Sequence, residues 1–332
     1  MSEKGKIKYK LLIVTALIFF AQSCKAGKEY YVSTSFHEPA NEGLRFIYSV
    51  DGLHWDSIPG TWLKPEIGNE RVMRDPSMTQ TPDGVFHLVW TTSWKGDPGF
   101  GYSHSKDLIH WSKQQMIPVM KYEPTTVNVW APEIFYDDEK SEFVVVWSSC
   151  VPNRFRRGIE DEKNNHRLYY VTTKDFKSFS PTRLFYDPGF SSIDATIVKR
   201  AKNDFVLVFK DNTRPNRNLK VAFAKTVTGP YSKASSTFTE SFVEGPTVEK
   251  IENDYYIYFD EYRKFSFGAV KTNDFIHFVN ISKKISVPAG HKHGTIFRAS
   301  ASVIDNLLKA GQSKLVSLND SASNELTESK IK

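Results

Sequence analysis

Ser103-His104-Ser105-Lys106-Asp107-Leu108-Ile109-His110-Trp111 is a strand-like run that breaks into a short acidic turn and closes on an aromatic residue. The same design returns as Tyr48-Ser49-Val50-Asp51-Gly52-Leu53-His54-Trp55, as Val171 to Phe179 around Lys174-Asp175-Phe176, and as Val270 to Phe278 around Asn273-Asp274-Phe275. A weaker copy from Ala224 to Tyr231 replaces the acidic turn with Thr228-Gly229-Pro230. Recurrence at intervals of tens of residues is the mark of a repeat architecture, in which each copy is one supersecondary unit.

Between the turns lie pairs of β-rich runs: Ser77 to Gln80 with Val85 to Thr91, Glu133 to Tyr136 with Phe143 to Trp147, Ala195 to Lys199 with Phe205 to Phe209, and Thr247 to Ile251 with Tyr255 to Phe259. Each unit therefore reads as a small antiparallel sheet. Sheets of about four strands repeated radially are the blades of a propeller, which leaves only short protected edges. The expected fold is an all-β, five-bladed β-propeller. The short last unit, from His293, needs more strands, and the segment from Tyr30 to Trp55 can supply them by pairing the beginning of the chain with its end. A long β-sandwich shares the strand spacing but not the five-fold recurrence. Ser302 to Ala310 has helical spacing, with Ile304, Leu307 and Leu308 on one face. The expected domain spans 30–312, with a polar, solvated tail over 313–332.

The first residues fall outside this plan. Lys4, Lys6, Lys8 and Lys10 form a basic head and Leu11 to Phe20 an apolar core too short to span a bilayer. Residues 1–23 read as a signal peptide, and Ala21-Gln22-Ser23-Cys24 resembles a bacterial lipobox, which implies cleavage before Cys24 and lipid on its sulfur. Residues 24–29 form the tether. The expected location is outside the cytoplasm, periplasmic or on the cell surface, held to the membrane by the lipid anchor only. Cys150 is the one cysteine left, so the mature monomer has no internal disulfide. The formal charge of +6 shrinks once four lysines and Glu3 leave with the signal. The remaining lysines are interspersed with acids, so no basic stripe for nucleic acid is present.

A propeller presents the first strand of every blade to a central channel, where distant parts of the sequence converge. The blade starts read Arg74-Asp75-Pro76-Ser77, Trp130-Ala131-Pro132-Glu133, Ile193-Asp194-Ala195-Thr196, Glu244-Gly245-Pro246-Thr247 and His293-Gly294-Thr295. Acids occur in four consecutive blades, among small or apolar neighbours. This pattern resembles glycoside hydrolase family 43, the five-bladed arabinofuranosidase and xylosidase propellers, over essentially the whole mature chain. The resemblance implies that Asp75 is the general base, Asp194 an orienter and modulator of the acid, and Glu244, in its Glu-Gly-Pro motif, the general acid. Trp130 in Trp-Ala-Pro and the late His293-Gly294 also match family positions, and the family often places such a histidine near a calcium ion or a water cluster.

The chemistry stands without the name. Inverting hydrolysis of a glycoside needs one carboxylate to deprotonate water and a second carboxyl, about 6.5–9.5 Å away, to protonate the leaving oxygen. A neighbouring negative charge on Asp194 is expected to keep Glu244 protonated. Arg74, Trp94, Trp130, His293 and Arg298 are the expected substrate-binding residues. The expected partner is a carbohydrate, first an α-L-arabinofuranoside and second a β-D-xyloside, with no cofactor required. Retaining fructan hydrolases share the Arg-Asp-Pro element, but their Asn-Asp-Pro and Glu-Cys motifs are missing. Galactan hydrolases and a non-catalytic glycan-capture lipoprotein remain as alternatives.

Overall fold

The computed structural model describes residues 28–156 and 158–328, with the side chains of the last helix described as far as Lys314. Residues 1–23, expected to form a signal peptide, and Cys24 lie outside the described residues. In chain order the strands are β1 (Glu29–Ser35), β2 (Leu44–Ser49), β3 (Trp55–Leu63), β4 (Arg74–Gln80), β5 (Phe86–Thr91), β6 (Phe100–Ser105), β7 (Gln115–Ile117), β8 (Trp130–Asp137), β9 (Glu142–Cys150) and β10 (His166–Thr173). They continue as β11 (Arg183–Tyr186), β12 (Ser192–Ala201), β13 (Asp204–Asp211), β14 (Asn218–Ala224), β15 (Glu244–Ile251), β16 (Asp254–Glu261), β17 (Ser266–Thr272), β18 (Val279–Asn280) and β19 (Ile296–Ser300), before the helix α1 (Ala301–Glu328).

These strands form five antiparallel sheets: β4–β7 is blade I, β8–β11 blade II, β12–β14 blade III, β15–β18 blade IV, and blade V has the order β19-β1-β2-β3. The ring closes as the sequence predicts, with β19 pairing with β1 from Glu29 opposite Ser300 to Ser33 opposite Ile296. The recurring turn joins the third strand to the outermost one, and its acid is the reason it recurs. Asp107 accepts the backbone N–H groups of Ile109 and His110, and the Ser105 hydroxyl accepts that of Leu108, which sits at a left-handed φ of 63°. Asp51, Asp175 and Asp274 repeat these bonds in blades V, II and IV. Side-chain acceptors of this kind offer the backbone a turn in place of a continued ladder.

Blade III carries the weak copy, and there the structure departs from four regular strands. Ser232, Ser235 and Phe238 donate backbone bonds to Phe223, Val221 and Leu219 of β14, so the segment runs beside that strand without forming a regular one. Without the acid, the turn at Thr228-Gly229-Pro230 does not set up a ladder.

Five apolar clusters fill the gaps between successive blades. The second strands read as nearly unbroken hydrophobic runs because each is covered on both faces. Along β9, Phe143, Val145 and Trp147 face blade I while Val144 and Val146 face blade III, as the two-residue period of a strand requires. Ile304 and Leu307 of α1 are fully buried against blade V and blade I. The helix is longer than the sequence predicts, continuing to Glu328 through residues expected to form a loose tail. It contains no proline, and the good helix formers alanine, leucine, lysine and glutamate recur along it.

Candidate active site

Four of the five inner strands begin with the same irregularity. Pairing with the second strand skips between Arg74 and Ser77, Trp130 and Glu133, Ile193 and Thr196, and Glu244 and Thr247. The second residue of each bulge takes a left-handed φ: Asp75 at 50°, Ala131 at 45°, Asp194 at 51° and Gly245 at 60°. Bulges bend a strand and re-aim its side chains, and such φ values in non-glycine residues cost of order 1–3 kcal/mol, a strain that concentrates at functional sites. Here they turn Asp75 and Asp194 toward one pocket, lined also by Ala131, Gly245 and His293. Gly245 is the position that no side chain can occupy, because a Cβ there would lie 2.0 Å from His293 Cγ.

The second strands supply the partners. The residues facing the bulges are Thr91, Ser148, Lys210 and Asp260. Thr91 Oγ1 donates to Asp75 at 2.8 Å and accepts the Ala131 N–H of blade II. Ser148 Oγ of blade II accepts the Asp194 N–H at 3.3 Å, Lys210 Nζ of blade III lies 2.8 Å from Glu244 Oε2, and Asp260 Oδ2 of blade IV lies 2.8 Å from His293 Nδ1. Each second strand thus hands a polar group to the next blade. The sequence analysis missed Lys210 and Asp260. Their signal is a charged residue at the end of an apolar run, Val208-Phe209-Lys210-Asp211 and Tyr258-Phe259-Asp260-Glu261, where antiparallel pairing brings it level with the neighbouring first strand.

His293 joins two carboxylates, with Nε2 at 3.0 Å from Asp75 Oδ1 in an off-line charge contact and Nδ1 on Asp260. Burial disfavours its imidazolium, but the Asp260 bond and charge and those of Asp75 outweigh this, so its pKa rises well above the ordinary value. Burial likewise pushes Asp75 up, yet His293, the Arg74 charge and the Thr91 bond hold its carboxyl down at about 2. It is an ionised carboxylate at any working pH. For Asp194 burial wins over the charges of Lys210 and His293, and with Glu244 and Asp75 adding repulsion its carboxyl is raised to about 6. Its Oδ2 accepts the Gly245 N–H at 3.1 Å, which ties it to the backbone beside Glu244.

Glu244 corrects one expectation. Burial would raise it, but the Lys210 and His293 charges and the Lys210 hydrogen bond bring it below the ordinary glutamate value. In the substrate-free site the proton therefore rests more readily on Asp194 than on Glu244. No expectation had placed an ammonium against Glu244.

Glu133 also lines the pocket and is half-buried. Its carboxyl accepts Ser77 of blade I and Thr196 of blade III at 2.6 Å each, and Thr295 of blade V at 3.2 Å, so one side chain ties four blades at the axis. Burial raises its pKa in spite of the three hydroxyls.

Arg74, Trp94 and Trp130 lie against one another. The Arg74 guanidinium lies 4.0 Å over the Trp94 ring and donates to Glu38 at 2.6 Å. Trp94 meets Trp130 edge to face at 5.8 Å, and Trp130 stacks on buried His166 at 4.9 Å. Half-exposed Trp94 is the aromatic of this wall open to a ligand. Arg298 is not part of the site. Its position on β19 points it sideways to Glu249 at 2.8 Å and the Lys250 carbonyl, a contact between blades V and IV.

Glu244, Asp260 and His293 place three donor atoms within 4.8 Å of one another, the one grouping among the described residues with the spacing of a metal site. The set does not fit calcium. Both His293 nitrogens face carboxylates as an imidazolium, Glu244 is already neutralised by Lys210, and calcium takes six to eight oxygen ligands.

Residues 28–305 match a family model described as a probable glycosyl hydrolase domain, related to glycoside hydrolase family 43. The chain belongs to this family. An α-L-arabinofuranosidase of Bifidobacterium longum subsp. longum is 27% identical over 125 residues, which is 34% of this chain and 12% of that protein's length. Among solved structures, a thermostable family-43 glycoside hydrolase matches with a TM-score of 0.52 at 16% identity, covering 67% of this chain and 78% of the other. The α-L-arabinofuranosidase from Lactobacillus brevis matches with a TM-score of 0.50 at 14% identity, covering 63% and 72%. The exo-β-1,3-galactanase from Phanerochaete chrysosporium with galactose also gives 0.50 at 14% identity, covering 63% and 50%. At such identities these structures bear on the propeller fold alone, and the family match makes residues 28–305 a domain of the probable glycosyl hydrolase family.

Proposed function

We propose that this glycosidase removes single terminal sugars by inversion, with Asp75 as general base, Glu244 as general acid and Asp194 holding the backbone beside the acid. The carrying observation is that Asp75 of blade I and Asp194 of blade III line one pocket through the same backbone bulge, with Glu244 of blade IV next to the lining residue Gly245 and Asp75 held ionised and ready to accept a proton from water. The substrate we favour is an α-L-arabinofuranoside, with β-D-xyloside second; the partial likeness to an arabinofuranosidase supports this order. We also propose that the chain is exported and held at the membrane through Cys24.

The test is hydrolysis of a panel of aryl glycosides, α-L-arabinofuranoside and β-D-xyloside foremost, beside Glu244→Gln. Turnover should fall by about a hundredfold or more in the variant, the scale of a lost general acid, while a bound sugar keeps its affinity. No turnover of any aryl or natural glycoside by the unsubstituted protein, with sugar binding intact, would replace this reading with glycan capture.

A further inference from the structure

Lys210 is an odd residue for its place. It is the last residue but one of β13, follows the wholly buried Phe209, pairs with Ile193 across the ladder and is itself 2% exposed. Its Nζ reaches Glu244 Oε2 at 2.8 Å and lies 5.0 Å from the centre of the Tyr262 ring. Taking an ammonium and a carboxylate out of water together is seldom better for stability than an apolar pair of similar volume. The stability of β13 therefore does not explain the charge, whereas its aim does.

We propose that Lys210 is a positioning residue for Glu244: its buried ammonium fixes the carboxylate in the free site and sets the pH range over which Glu244 can carry the proton required by a glycosidic leaving group. This rests on the reading of Glu244 as the acid. The groups around Glu244 come from every side. They are Lys210 from β13, Asp194 from β12, Asp75 from β4, its ladder partner Asp260 on β16, and His293 ahead of β19. Asp75 and Asp260 are both engaged with His293, and Asp194 takes the Gly245 N–H. Lys210 is the cation hydrogen-bonded to Glu244 itself, so the ammonium is the charge whose removal Glu244 would feel most.

Without Lys210, the buried carboxyl faces Asp194 and Asp75 with no direct counter-charge, and protonation becomes easier. The experiment is the pH dependence of kcat/KM on the best aryl glycoside for the unsubstituted protein, Lys210→Met and Lys210→Gln. The alkaline limb should move up by at least about one pH unit in both variants, equivalent to about tenfold more protonated acid beyond the limb. A limb that stays in place while kcat falls equally at every pH is the result of a merely structural lysine and overturns the proposal. Should the Met variant not fold, the Gln variant decides.

A second measurement needs no turnover. The carboxyl-carbon NMR signal lost in Glu244→Gln should titrate, in the unsubstituted protein, below the ordinary glutamate value of about 4.3 and move upward in Lys210→Gln. A midpoint at or above the ordinary value overturns the proposal. Absence of hydrolysis with a low, lysine-dependent midpoint would instead overturn the functional reading and leave the Lys210 coupling standing.

Discussion

Gly245→Ala is the substitution from which most can be learned, since two separable costs act at one atom. The first is conformational: the residue has a φ of 60°, and an L side chain in the left-handed region costs roughly 1–2 kcal/mol. The second is steric. The new Cβ would stand 2.0 Å from His293 Cγ, 2.2 Å from Cδ2 and 2.5 Å from Nδ1, where nonbonded carbons prefer about 3.5–4.0 Å. The ring must retreat by about 1.5 Å or more to restore ordinary contact. It cannot do so cheaply, because Nδ1 is held by Asp260 at 2.8 Å and Nε2 faces Asp75 at 3.0 Å. A retreat of that size breaks the Asp260 bond, and separating a buried charge from its partner costs about 3–5 kcal/mol. The sum is about 4–7 kcal/mol, close to the whole stability of many domains at about 5–15 kcal/mol. Gly84→Ala is the control, with a φ of 84° and nothing within 4 Å of its Cβ, so the conformational cost acts there alone. Urea unfolding of the two variants should show Gly84→Ala lower by about 1–2 kcal/mol and Gly245→Ala lower by several times as much, at unchanged m. Equal losses in the two would refute the claim that His293 is locked against the Gly245 backbone.

Glu133 and Cys24 give two further expectations. The Glu133 carboxyl is raised in the folded state by burial, so the unfolded chain releases its proton first. The protein should then lose stability as pH rises above the ordinary glutamate value of about 4.3 until the folded group also ionises. Glu133→Gln stays neutral and should flatten that slope in melting temperature against pH, whereas a slope unchanged from the parent would show that the carboxyl is not destabilised in its cluster. Expressed with its full leader in a bacterial host, the protein should incorporate labelled palmitate and partition with membranes. Cys24→Ser should remove both properties, and equal labelling of the two proteins would end the anchor proposal.

Much of this architecture was legible because its markers are local. The turn acids Asp51, Asp107, Asp175 and Asp274 each satisfy backbone donors within three residues, so their spacing in the sequence reports one blade apiece. The carboxylates were legible for a related reason: Asp75, Asp194 and Glu244 sit in or beside bulges that occupy the same place in four of the five inner strands. What escaped was whatever depends on the neighbouring blade. Lys210 and Asp260 act on Glu244 and His293 through register pairing and contact between sheets, and no short-range pattern announces a lysine that will face an acid 34 residues away. Arg298 failed in the opposite sense. It was expected to bind substrate, but its place on β19 carries it to Glu249 instead.

The clasp between β1 and β19 also imposes a timetable. A chain made from its N-terminus has β1, β2 and β3 long before Ile296 to Ser300 exist to cover the open flank of β1, and contacts so distant in sequence form late and slowly. His293, which balances the charge of Asp75 against Asp260, lies three residues ahead of that final strand. A nascent chain can hold all three carboxylates while lacking the group that keeps them compatible. Completion of the ring and of the candidate site therefore fall together at the end of synthesis, and a polypeptide halted before residue 293 lacks both the closing strand and His293.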